Sequence, residues 1–410
     1  MSEVIAETKK PTILSRSSAM SFLVTIAIVA LFSDMVYEGA RSLNGQFLSF
    51  LGASATAVGL VAGAGELLGY ALRFVSGYVS DRTHRYWTIT LVGYGINLLA
   101  PPLLALAGRW EWAIALIFAE RVGKAIRIPA RDAMLSHAAS QLGAGKTFGL
   151  HETLDQIGAF FGPILISAVL FLRRNTPEGL ETYHAGYTAL FIPALLALAV
   201  LVLARLRFPN PSELESKSPR LATTGFNSAY WWHLFAAALV AAGFADFPLL
   251  AFHFERTAVL PIEWIPATYA LAMAVDAAAA LALGQLFDKR GITVTLVVFG
   301  GIAFVAPLAF LGNATLALLG MVLWGIGMGA QETILKAAIA RLVPRDKRST
   351  GYGLFHTAFG IFWFAGSALM GFLYDRSIIW LVVFSVAIQL AAAPFFFMAA
   401  RRSADAGAEA

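Results

Sequence analysis

Twelve long apolar stretches, separated by short polar breaks, make up most of the chain. They cover roughly residues 19–50, 55–80, 86–107, 112–139, 147–172, 186–206, 228–253, 264–287, 292–311, 314–340, 350–374 and 377–400. At about 1.5 Å rise per residue, each is long enough to cross some 30 Å of hydrocarbon. The pattern predicts an all-α polytopic membrane protein with 12 transmembrane helices. One connection is longer than the rest: residues 207–227, RFPNPSELESKSPRLATTGFN, rich in Pro, Ser and charge. It reads as a flexible linker between a six-helix bundle at 1–206 and a second at 228–410.

Composition agrees with this reading. Hydrophobic residues are 58% of the chain and charged residues 13%, against about 25% charged in soluble domains. The net charge of +5 is arranged by membrane side rather than as a nucleic-acid surface. Eighteen of the 30 Lys and Arg residues fall in the loops on the side of the two termini, five in the opposite loops and seven within spans. The positive-inside rule then puts both termini and the linker in the cytoplasm of a cell with this protein in its inner or plasma membrane. The run from Met20 follows Lys9, Lys10 and Arg16 without a small-residue cleavage site, and reads as an uncleaved first span. Cysteine is absent, which excludes disulfides and thiolate metal sites. The glycine-rich runs Gly59–Gly69 and Gly320–Gly329 lie inside apolar spans and lack a phosphate-loop lysine. They predict close helix packing, not a nucleotide cofactor.

The two halves repeat. Gly77-Tyr-Val-Ser-Asp81-Arg82 ends span two, and Gly284-Gln-Leu-Phe-Asp288-Lys289 ends span eight. Phe148-Gly-Leu-His-Glu-Thr153 opens span five, and Tyr352-Gly-Leu-Phe-His-Thr357 opens span eleven. A glycine one turn before the aspartate lets a neighbouring helix come close. The carboxylate can then meet that helix's N-terminus or an arginine, forming a latch on the cytoplasmic face. Duplicated membrane halves are a feature of secondary transporters, whose substrate site lies at the midplane between them.

On these residues the chain resembles the major facilitator superfamily, over nearly its whole length. Gly77, Asp81, Arg82 and Arg85 match the superfamily's loop signature between helices two and three, with His84 where a glycine is usual. Arg121 falls where the family often has an arginine implicated in proton coupling. Gly149, Gly158, Gly162 and Pro163 match a helix-five signature associated with exporters, although Ile166 and Ser167 replace its closing glycine pair. The resemblance implies two pseudo-symmetric six-helix bundles (the MFS fold), alternating access and no cofactor.

The charges inside the spans are the candidate chemistry. Arg121, Lys124, Arg127 and Arg131 recur at steps of three, three and four along ERVGKAIRIPARD (120–132), on one helix face. By helical rise Arg121 lies about 14 Å into its span, where charge is costly and usually functional. Glu66 and Asp155 fall at the heights of Arg121 and Lys124, and Glu152 at that of Arg127. The expected network is Glu66–Arg121 and Lys124–Asp155. Pro129 is expected to bend the helix, leaving Arg127–Asp132 as a cytoplasmic anchor. In span one, Asp34, Glu38 and Arg41 share a face that should line a cavity. Asp246 stands before Pro248, where span seven should break, and Glu332 and Lys336 are expected to pair. Asp276 is a further intramembrane acid. The aromatics of the second half, Phe355, Phe359, Phe362 and Trp363 among them, are expected to shape the substrate site.

These residues predict a secondary active transporter, working by proton-coupled export of a small solute. Glu66, Asp155 and Asp34 would be the protonation sites and Arg121 their electrostatic partner. An importer or exchanger of an organic anion held by Lys124 and Arg121 is one alternative. A metal-ion exporter is another, if Asp34, Glu38, His151 and Asp155 converge. A non-transporting membrane sensor or scaffold is the alternative of another class. No nucleophile–base pair suggests an enzyme. The implied partners are the bilayer, the solute and protons, with the chain as a monomer.

Overall fold

A computed structural model of the chain describes residues 16–142, 144–175, 179–209, 226–290, 293–343 and 348–408. The described residues contain helices and no strands. In chain order the spans are α1 (Arg16–Phe50), α2 (Ala55–Thr83), α3 (Tyr86–Leu106), α4 (Trp110–Leu142), α5 (Ala144–Leu172) and α6 (Leu180–Arg207). The second half has α7 (Ser228–Arg256), α8 (Trp264–Arg290), α9 (Val294–Leu311), α10 (Ala314–Leu342), α11 (Arg348–Arg376) and α12 (Ile378–Ala408). Eleven of these are long and apolar enough to cross a membrane; α4 falls short because of its charges. Most of the linker, residues 210–225, lies outside the described residues.

Helix ends follow local chemistry. Ser54, Asn227 and Asn313 accept from the backbone N–H groups of Ala57, Tyr230 and Leu316, capping α2, α7 and α10. His84 ends α2 at φ 53°, the left-handed conformation that glycine adopts most readily at a helix C-terminus. Span α7 breaks at 244–246, as the Asp246/Pro248 sequence predicts, and restarts at Phe247 with Asp246 as its cap. Span α10 carries a π-turn at Gln331–Leu335.

Glycine positions set how closely the helices approach. A Cβ at Gly158 would lie 2.2 Å from the Leu31 carbonyl, and one at Gly162 2.3 Å from that of Met35. The helix-five glycines therefore seat α5 backbone-to-backbone on α1. Gly93 and Gly123 do the same for α3 and α4. The repeated loop signatures have matching surroundings: Gly77 of α2 faces Pro129 of α4, and Gly284 of α8 faces Thr333 of α10.

The ends of the described chain lie on one face, here the terminal face, where Phe22 of α1 packs on Trp87 and Phe208 at the ends of α3 and α6. The halves join toward the opposite face. There Asp375 of α11 accepts from the Ala55 and Thr56 N–H groups at 3.0 and 2.8 Å and from the Thr56 hydroxyl at 2.6 Å. The Ser167 hydroxyl donates to the Glu263 carbonyl at 2.7 Å. Gly45 lies against the Pro248 backbone, and Gly59 and Gly63 against Ser367 and Phe364.

Candidate functional site

A cavity of about 290 Å³ lies between the halves. Its first-half wall carries Tyr37, Glu38, Arg41, Glu66, Arg73 and Lys124. Facing them are Met328, Gln331, Glu332 and Lys336 of α10, and Phe355, His356, Phe359 and Trp363 of α11. The expectation for the second-half aromatics therefore divides. Phe355, Phe359 and Trp363 line the cavity, while Phe244, Phe247 and Trp324 pack with Tyr269 in the buried core. The Trp363 indole N–H is buried and has no hydrogen-bond partner among the described residues.

Arg121 is the hub of the first-half wall. Its Nη1 donates to Glu66 Oε1 at 2.7 Å and to the Tyr37 hydroxyl, and its Nε lies 3.5 Å from Glu120. The expected Glu66–Arg121 pair is present. The expected Lys124–Asp155 pair is not, because equal height along two helices does not fix which way the side chains turn. Lys124 sits over the Tyr37 ring, 3.2 Å from its centroid, and meets no carboxylate within ion-pair distance among the described residues. Asp155 turns back along its own helix to His151 Nδ1 at 3.3 Å.

Arg127 overturns the reading of the lower stripe as an anchor. It is 1% exposed, donating from Nε to Asn97 Oδ1 at 2.9 Å and from Nη1 to the Tyr94 hydroxyl at 3.0 Å. Asp34 lies 3.9 Å from its Nη2. Asn97 donates in turn to Glu120 Oε1 at 2.9 Å, so one hydrogen-bonded chain runs through the buried part of α4 and α3. Pro129 does not end the helix. Its missing N–H costs α4 one backbone bond, and the Ser76 hydroxyl donates to the Ile126 carbonyl in the same turn at 2.7 Å. Only Arg131, which bonds the adjacent Asp132 at 2.8 Å, is a local pair.

Glu38 and Arg41 close the cavity toward the opposite face by reaching the other half. Tyr269 of α8 donates to Glu38 Oε2 at 2.6 Å, and Arg41 Nη2 donates to Asp246 Oδ1 at 2.8 Å. Asp246 also accepts from the Phe247 N–H at 2.8 Å. Neither inter-half bond was legible from spacing, since each depends on how the halves dock. Tyr37, Tyr94 and Asn97 were also missed. The available signal was the step of three from Tyr94 to Asn97, which puts two polar groups on one face of an apolar helix.

The remaining expectations resolve as follows. Glu152 is exposed, accepts from Gln156 at 3.4 Å, and does not meet Arg127. Glu332 and Lys336 form no ion pair among the described residues, although both line the cavity. Asp288 is met by Arg341 of its own half at 3.2 Å, an exposed pair. The Asp81 side chain lies outside those described. Arg82 donates to the Tyr78 hydroxyl at 2.9 Å, and Arg85 is exposed at the start of α3. Lys289 is exposed, Gly149 lies in α5, and Pro163 is accommodated inside it. Asp34, Glu38, His151 and Asp155 do not converge; among the described residues no group of three or more His, Asp or Glu is placed to hold a metal.

Comparison with known proteins agrees with this architecture. An uncharacterized protein of Mycobacterium tuberculosis is 39% identical over 389 residues, covering 93% of each chain. An uncharacterized MFS-type transporter of Methanocaldococcus jannaschii is 25% identical over 366 residues, 86% of this chain and 88% of that one. Among solved structures, a bacterial homolog of the human lysosomal transporter Spinster, inward-facing and occupied, superposes with a TM-score of 0.74. Its identity is 15%, over 93% of this chain and 97% of that one. A POT family transporter in complex with 5-aminolevulinic acid gives a TM-score of 0.75 at 12% identity, covering 93% and 96%. At such identities these two show the fold alone. The sequence profile described as Major Facilitator Superfamily matches residues 14–367. With two six-helix halves around a polar cavity, the chain belongs to the Major Facilitator Superfamily.

Proposed function

We propose that the chain is a secondary active transporter that exports a small solute by alternating access, coupled to protons. Its two bundles, 1–206 and 228–410, move about the 207–227 linker, with both termini cytoplasmic in the plasma membrane. The observation that carries this is the Arg121–Glu66 bond at 2.7 Å in the wall of the inter-half cavity. A buried ion pair gains little stability over apolar replacements, so its place beside the cavity asks for a use. Protonating Glu66 removes the carboxylate that holds Arg121 and changes the balance between states. Asp155, held by His151, and Asp34, near Arg127, are secondary protonation sites. The inter-half bonds around Arg41, Glu38, Asp375 and Ser167 all favour a conformer closed at the opposite face. With cytoplasmic termini, that conformer is inward-facing.

Proteoliposomes loaded with a pH dye and exposed to a solute panel test the coupling. Solutes carried by the wild type should change lumenal pH, and Glu66→Gln and Arg121→Ala should abolish that change while remaining folded. Solute flux in the wild type with no proton movement would refute it. A second reading, exchange of an organic anion, is favoured by Lys124, which faces the cavity over Tyr37 with no carboxylate within ion-pair distance among the described residues. Salt-dependent anion binding that disappears in Lys124→Ala would support that reading instead.

A further inference from the structure

The second-half wall of the central cavity holds polar atoms that proton coupling does not use. Trp363 of α11 and Gln331 of α10 both line the cavity, 6% and 5% exposed. Gln331 Nε2 donates to the Gly327 carbonyl at 3.1 Å. Its Oε1 and the Trp363 indole N–H are buried and have no hydrogen-bond partner among the described residues. A buried donor or acceptor left unmet is costly. One is a donor and the other an acceptor, and a hydroxyl group satisfies both kinds at once.

Trp363 also ends an aromatic strip. Phe355, Phe359 and Trp363 recur at steps of four, which stacks them on one face of α11. Their ring centroids are 5.5 and 5.6 Å apart, with planes tilted by 31° and 35°, and all three line the cavity. Such a strip suits a flat apolar ring. Charge is divided unevenly between the walls. On the second-half side Lys336 is opposed by two acids that share a cleft with it, Glu332 and Asp276. On the first-half side Arg41 is taken by Asp246, and Glu66 by Arg121. Lys124 lies over the Tyr37 ring with no carboxylate within ion-pair distance among the described residues. An aromatic face steadies an ammonium without neutralising it. Arg73 adds a second cation to the same wall. The cavity thus offers positive charge on one wall, and on the other an aromatic strip ending in an unmet donor with an unmet acceptor on the next helix.

We propose that the central cavity binds hydroxylated aromatic carboxylates. Lys124 holds the carboxylate, and the ring lies on Phe359 and Trp363. The hydroxyl accepts from the Trp363 N–H and donates to Gln331 Oε1. A volume of about 290 Å³ suits a solute of one or two fused rings. The inference rests on the reading of the chain as a transporter and names the class of its solute.

Binding of 6-hydroxy-2-naphthoate to the full chain in lipid nanodiscs, read by the fluorescence of the probe, tests it. Saturable binding is expected in the wild type. 2-Naphthoate, which lacks the hydroxyl, should bind about threefold more weakly or worse, and 6-hydroxy-2-naphthamide, which lacks the charge, about tenfold more weakly or worse. Lys124→Gln should weaken binding of the hydroxynaphthoate by about tenfold or more, and Lys124→Arg should restore it. Trp363→Phe keeps an aromatic ring and loses the N–H, so it should bind the two naphthoates alike. Loss of that preference alone is not what a misfolded protein shows. The amide comparison uses the wild type and carries the charge claim if Lys124→Gln fails to fold. Absence of saturable binding in the wild type, amide binding as tight as that of the acid, or an undiminished preference for the hydroxyl in Trp363→Phe overturns the proposal. So does tighter binding of 2-(aminomethyl)naphthalene than of either acid. A wild type whose conformers shift with pH but which binds no naphthoate would lose this proposal alone. Naphthoate binding without any pH response would remove proton coupling and leave this proposal standing.

Discussion

Removing Asp246 should open the opposite face. Asp246 is 1% exposed and bonds Arg41 across the halves at 2.8 Å. Deleting one partner of a buried pair typically costs about 3–5 kcal/mol, because the other charge stays buried and unpaired. That penalty falls on the conformer in which the halves touch; when they part, Arg41 reaches water. A differential of about 3 kcal/mol, at roughly 1.4 kcal/mol per factor of ten, shifts the ratio of conformers by about a hundredfold. Asp246 also caps the second part of α7. Loss of that cap, about 1 kcal/mol, weighs on both conformers alike and cancels. Asp246→Asn keeps a capping side chain and loses the charge, whereas Asp246→Ala loses both. Both variants should therefore shift the equilibrium, and only Asp246→Ala should also lose the cap's share of thermal stability. Spin labels on Arg109→Cys and Ser377→Cys, in turns on the opposite face of the two halves, read the separation by pulsed electron resonance. The sequence contains no native cysteine to remove. Distance distributions in both variants should move to longer separations. Distributions identical to the wild type, with only the melting temperature lowered, would show that the pair is packing and refute the gate.

Three further outcomes follow from the packing. Gly158→Leu should lower stability by at least about 2 kcal/mol, because the added carbon meets the Leu31 carbonyl. Gly95→Leu, whose Cβ would meet nothing within 4 Å, should stay within about 0.5 kcal/mol of the wild type in the same thermal assay. Arg127→Met should cost about 2–4 kcal/mol, by orphaning Asn97 and Tyr94. Arg131→Met, which breaks only the bond to its neighbour Asp132, should cost clearly less. Asp375→Ala removes three bonds that α11 makes to the start of α2 and should open the same labelled pair in the direction of Asp246→Ala. The shift should be smaller, corresponding to about 1–2 kcal/mol.

The pattern of apolar stretches located the twelve helices, eleven of them apolar enough to cross a membrane, with most boundaries within three residues, because the bilayer allows little besides helices of a fixed minimum length. Height arithmetic also paired Glu66 with Arg121. The same arithmetic failed for Lys124 and Asp155, since rise gives depth and leaves azimuth open. It failed at Arg127 because Pro129 was expected to bend the helix and leave the residues around it as an anchor, whereas Ser76 of α2 supports the backbone of that turn and α4 runs on to Leu142. The Arg41–Asp246 and Glu38–Tyr269 bonds join residues more than 200 positions apart. No periodicity within one helix encodes them; they follow from how the two halves dock.

The coupling role of Glu66 can be tested without knowing the solute. The Arg109→Cys/Ser377→Cys spin-label pair, recorded in nanodiscs at acid and alkaline pH, reports the balance of conformers directly. If Glu66 is the coupling carboxylate, the wild-type distribution changes with pH. Glu66→Gln then shows the acid-pH distribution at both values. A wild-type distribution independent of pH, or a Glu66→Gln variant that titrates like the wild type, would contradict that role.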